Sequence, residues 1–165
     1  MNKTPLVILI LASFLLNSCK QKTNKEQGIN YTDYINSQEL TKIIVDKYAD
    51  GKEKSIIFKI KEISDQYPVK EIHFFQNGNI QVEGTLKNGK RHGIWTFYYE
   101  NGQVWSKGEF NMDKSIGEFD IYDEKGQIKF KYYYEKGIAQ KQEIFLKEKL
   151  YKTIDLLKTS NDTSK

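Results

Sequence analysis

The chain has 165 residues, with 26 Lys and Arg against 22 Asp and Glu, and a formal charge of +4 at pH 7. That small basic excess is spread along the chain with no basic block, so no nucleic-acid partner is expected. Two prolines and 13% aromatic residues point to a β-rich globular or repeat protein, and the single cysteine excludes an intrachain disulfide.

Residues 1–18 carry one positive charge, Lys3, followed by the apolar run "LVILILASFLL". The run is too short to cross a ~30 Å hydrocarbon core as a helix and has the size of a secretory h-region. "LNSC", Leu16 to Cys19, follows it and resembles the lipobox of bacterial lipoproteins. The resemblance implies cleavage of residues 1–18 and lipid attachment at Cys19. The expected address is the bacterial cell envelope, on the periplasmic or outer-membrane face, with the membrane held through the lipid on Cys19. Residues 19–30 are polar and aperiodic and read as a flexible tether.

The folded domain is expected over residues 31–157. In "YADGKEKSIIFKI", Ile56, Phe58 and Ile60 alternate with Lys59 and Lys61, which reads as a hairpin around Asp50-Gly51. The alternative is a short helix over 38–48, with Leu40, Ile43, Ile44 and Tyr48 on one face. Next comes a gapless 24-residue repeat. Asn77/Asn101, Gly78/Gly102, Gly84/Gly108, Lys90/Lys114, Gly93/Gly117, Tyr98/Tyr122 and Glu100/Glu124 coincide, and a third copy opens at Lys125-Gly126. The clear copies span 70–137.

Each repeat reads as strand, tight turn, strand, looser turn. Gly78, Gly102 and Gly126 mark the turns, and Asn101-Gly102 is taken as a two-residue turn with positive φ at both positions. Counting outward pairs Tyr99 with Val104, Phe97 with Ser106 and Trp95 with Gly108. The same count pairs Phe75 with Ile80, Ile121 with Phe130 and Phe119 with Tyr132. Alternation then places Ile80, Val82, Leu86, Val104, Phe110, Ile128, Phe130 and Tyr134 on an apolar face. Gln81, Glu83, Lys87, Lys107, Glu109, Lys129 and Lys131 fall on the other. Gly108 is expected to leave room for the Trp95 indole. Residues 142–157 suit a fourth, degenerate hairpin or an amphipathic helix, and 158–165 read as a frayed tail.

"GTLKNGKRHGIWTFYYENG", Gly84 to Gly102, resembles a MORN repeat, with its aromatic-x-x-Gly and Gly-Lys-x-x-Gly elements. The resemblance implies an all-β fold: an elongated, single-layer antiparallel β-meander of hairpin repeats. It also implies kinship with small exported bacterial lipoproteins and with antitoxin-labelled proteins.

Nothing in the pattern calls for catalysis, a metal or a cofactor. His73 is expected on the apolar face opposite Val82 and His92 in a turn beside Gly93, which is no ligand spacing. Carboxylates on a strand project mostly to solvent, whereas paired-carboxylate catalysis needs a concave, desolvated pocket. One feature exceeds the structural minimum. Phe74, Tyr98 and Tyr122 recur every 24 residues, pointing away from the apolar face, with Trp105 paired to Tyr98 and Tyr133 alongside. Such a row stabilises a thin sheet through cross-strand pairs, or it forms a binding stripe. The partner would then be a protein, such as a toxin acting in the envelope, or an envelope polymer.

Overall fold

The computed structural model describes residues 31–61 and 67–159. The leader, the Cys19 lipidation position, the tether and most of the tail lie outside the described residues.

A short helix, α1 (Tyr31–Asn36), precedes ten strands: β1 (Leu40–Lys47), β2 (Glu53–Ile60), β3 (Lys70–Phe74), β4 (Ile80–Lys87), β5 (Lys90–Tyr98), β6 (Val104–Asn111), β7 (Lys114–Tyr122), β8 (Ile128–Glu135), β9 (Ile138–Leu146) and β10 (Lys149–Asp155). One helical turn, α2 (Leu156–Thr159), closes the described chain. The strands form one open antiparallel sheet in the order β1 to β10, the predicted single-layer meander. Residues 40–60 are the hairpin around Asp50-Gly51, not a helix. Residues 142–155 belong to the β9–β10 hairpin, and helix begins only at Leu156.

The two kinds of turn occupy opposite ends of the strands, and their assignment is the reverse of the predicted one. At Tyr99–Gln103 the Tyr99 N–H donates to the Gln103 carbonyl at 2.8 Å, and the Gly102 N–H donates to the Tyr99 carbonyl at 2.9 Å. This is a three-residue loop in which Gly102 alone takes positive φ, at 86°. The same bonds recur at 48–52, 75–79 and 123–127. The two-residue turns lie at the other end, with positive φ at both Asn88-Gly89 and Met112-Asp113.

The longer loop shifts the pairing by one, so Tyr98 faces Val104, Phe74 faces Ile80 and Tyr122 faces Ile128. The predicted seats of Ile80, Val104 and Ile128 are corrected accordingly. Trp105 is left over as a bulge residue, and Gln81 and Lys129 hold the same position in the neighbouring repeats. The bulge restores the count, so Phe97–Ser106, Trp95–Gly108 and Ile121–Phe130 pair as predicted.

Two small cores result. Leu86, Trp95 and Phe110 are buried together, with Val82, Phe97 and Phe119 packed on them. Trp95 lies over Gly84, not over Gly108 as expected, and donates its indole N–H to the Thr85 carbonyl at 2.9 Å. Gly108 instead receives the Phe119 ring. An aromatic ring buries roughly 150–250 Å², worth on the order of 4–6 kcal/mol at about 25 cal/mol per Å². The second core joins Ile35 of α1 to Ile60 and Val69. Thr32 fastens α1 by accepting the Ile94 N–H at 3.1 Å, beside Gly93, where a Cβ would collide with the Thr32 hydroxyl.

Candidate ligand-binding groove

The sequence predicts one aromatic row, and the sheet divides it. Tyr98, Tyr122 and Tyr133 each give the hydroxyl to a carboxylate: Glu83 at 2.9 Å, Asp120 at 3.2 Å and Glu143 at 3.0 Å. Lysines neutralise these acids, with Lys70–Glu83 at 3.4 Å, Lys131–Asp120 at 3.5 Å and Lys141–Glu143 at 2.9 Å. Burial first, and then the Glu83 carboxylate, pushes the Tyr98 hydroxyl up to about 12. Phe74 pairs with Ile80 at the β3–β4 bulge.

Trp105 does not join them. Val104 occupies the seat opposite Tyr98, and the Trp105 ring packs edge-on against Phe97, with ring centroids 6.2 Å apart. Phe97 in turn lies against Trp95. Trp105 remains 46% exposed, whereas Trp95 is 5% exposed. The physical cause is the bulge, which re-aims one side chain where strict alternation would send it to the opposite face.

Trp105 borders two depressions. One, of about 650 Å³, is lined by His73, Val82, Phe97, Tyr98, Tyr99, Trp105 and the loop residues Glu100 and Glu124 among others. The other, of about 340 Å³, runs from Trp105 and Phe97 to Arg91 and Asp113 at the two-residue-turn end. The larger groove has pinned walls. Tyr99 donates its hydroxyl to the Tyr122 carbonyl at 2.9 Å. Asn77 and Asn79 donate to the Glu100 carbonyl at 3.0 and 2.8 Å, and Asn101 donates to the Glu124 carbonyl at 3.1 Å. The recurring Asn of the loops is therefore a staple between neighbouring loops, a role that turn chemistry alone does not suggest.

His73 pairs with Val82 as predicted and is hydrogen-bonded to Glu71. His92 is a residue of β5 rather than of a turn, and its ring meets Tyr31 of α1 edge-on at 4.8 Å. Burial, reinforced by Lys87, lowers its proton affinity. Among the described residues no three metal-capable side chains converge.

Residues 69–88 and 91–112 match the family model described as MORN repeat variant. This stretch is built of MORN repeats. The matched residues include several that set the geometry above: Gly84 under Trp95, Asn88 of the two-residue turn, the loop at Gly102 and Gly108 under Phe119. A MORN repeat is a binding module and not a known enzyme family. No curated protein matches the chain by sequence. A solved structure titled "Crystal Structure of TarM" aligns with 81% of this chain at 9% identity and a TM-score of 0.35. This chain spans 24% of that one, and so distant a likeness carries no argument.

Proposed function

We propose that the chain is a non-enzymatic binding protein, anchored in a bacterial envelope membrane through lipid on Cys19, that receives a protein partner on the groove beside Trp105. The observation that carries this reading is the position of Trp105. A large aromatic stands half in solvent beside a groove with hydrogen-bonded walls, and rigid aromatic anchors of this kind dominate binding energy. Tyr122 and Tyr133, which do not line the groove, have their hydroxyls occupied by their own sheet. The lipobox supports the anchor. Neutralising a toxin that acts in the envelope is one form such binding takes.

The test compares capture from envelope extracts by the wild type, Trp105→Ala and a Tyr122→Phe/Tyr133→Phe double variant, with partners identified by mass spectrometry. Trp105→Ala should lose the partner and the Tyr122→Phe/Tyr133→Phe variant should keep it. The reverse pattern would move the site to the other face. Cys19→Ala should shift the protein from the membrane to the soluble fraction. If the partner is a toxin, deleting this gene should be lethal only where that toxin is expressed.

A further inference from the structure

The charges of the groove differ from those of the rest of the chain. The protein has more Lys and Arg than Asp and Glu, yet among the described residues no Lys or Arg lines the groove, and Glu100 and Glu124 do. Carboxylates on the other face are matched by lysines at 2.6–3.5 Å. Glu100 and Glu124 form no ion pair within the described residues, although their backbone carbonyls are held by Asn77, Asn79 and Asn101. They occupy the same position in successive loops, two strands apart, which is roughly 10 Å or about three residues of extended chain.

The aromatic faces of this sheet already accept cations. Arg91 lies 4.3 Å from the centre of the Phe110 ring and Lys141 lies 3.5 Å from that of Tyr133. Neither Trp105 nor Tyr99 carries a cation among the described residues. An aromatic wall beside unpaired carboxylates is the chemistry that binds a positively charged side chain, its aliphatic stem on the ring and its head at the acid.

We propose that the groove accepts a segment of the protein partner in the extended polyproline II form, bearing Arg or Lys residues about three apart and so on one side, with the cations at Glu100 and Glu124 and the stems against Trp105. This rests on the reading of the groove as the binding site.

The test titrates the full chain with three capped peptides of the form Gly-Xaa-Gly-Gly-Xaa-Gly, with Xaa as Arg, Gln or Glu, using calorimetry. The Arg peptide should bind at least about tenfold more tightly than the Gln peptide and should weaken with added salt. Glu100→Gln/Glu124→Gln should lower that affinity about tenfold while leaving the melting temperature unchanged. Equal binding of the three peptides, indifference to salt and to the double variant, or no binding up to about 1 mM would overturn the proposal. So would binding of phosphatidylcholine vesicles in place of the Arg peptide. If partner capture still depends on Trp105 but not on Glu100 and Glu124, the groove stands as the site and only its cationic preference fails. If capture ignores Trp105 as well, both readings fall.

Discussion

Strands β2–β6 and strands β7–β10 follow the same hairpin pattern, yet only the first group withdraws residues from solvent. Ile56, Ile60, Ile72, Leu86, Trp95 and Phe110 are buried, and no residue of β7–β10 is. Three local differences account for this. In the first two copies an aromatic ring lies over a glycine, Trp95 on Gly84 and Phe119 on Gly108. In the third copy Tyr132 stands in the glycine position and Glu143 in the aromatic one, so the rung closes through a Gln142–Tyr132 hydrogen bond instead. The helix α1 also covers β4 and β5 at Gly93, whereas at the matching Gly117 none of the described residues comes within 4 Å of a Cβ position. A repeat therefore specifies hairpins and register, while burial depends on what each copy places over its glycine. The groove opens at β3–β6, on the better packed half, where its walls are best held in place.

The largest expected effect is at Trp95. Trp95→Ala empties a buried site and should destabilise the protein by roughly 3–5 kcal/mol in denaturant melts. Tyr151→Ala, at a side chain 67% exposed on β10, should change stability by less than about 0.5 kcal/mol. Next is Gly84→Ala, whose Cβ would overlap the Trp95 ring. It should cost roughly 1–3 kcal/mol as overpacking. Equal losses for Trp95→Ala and Tyr151→Ala would erase the distinction between the halves.

A smaller effect, of opposite sign, is expected at the β9–β10 turn. Lys147 and Glu148 adopt positive φ at 49° and 61° without a glycine. Lys147→Asn/Glu148→Gly supplies the preferred turn pair and should stabilise by about 1 kcal/mol, read as a raised melting temperature. The pH effect is smaller again. Because the fold raises the Tyr98 hydroxyl to about 12, its contribution is full below the unfolded value near 10 and is lost as pH rises toward 12. Tyr98→Phe should flatten that part of the fall in melting temperature. Trp105→Ala should also have a small effect on stability, under about 1 kcal/mol, since the ring rests mainly on Phe97.

The repeat and its register were legible because two local errors cancel. A three-residue loop moves the pairing one way and the bulge at Trp105 moves it back, so counting from Asn101-Gly102 still joins Trp95 to Gly108. The face of Trp105 was not legible, because alternation carries no mark of a bulge. The partner glycine of the indole was missed for a related reason: pairing names the opposite residue on both neighbouring strands, Gly84 and Gly108, and the side-chain rotamer chooses between them. The six-residue α1 is too short for a helical period and is held by tertiary contacts at Thr32 and Ile35. Glu100 and Glu124 were visible as matched repeat positions. What hid their role was that loop spacing does not show which carboxylates lack a cation.

Hydrogen exchange followed strand by strand tests the central claim most directly, because amide protection reports how tightly each strand is held. The slowest amides should lie in β4–β6, around Trp95, Phe97 and Phe110, with exchange quickening through β8 to β10. Uniform protection from β2 to β10, or the slowest exchange in β8–β10, would contradict it.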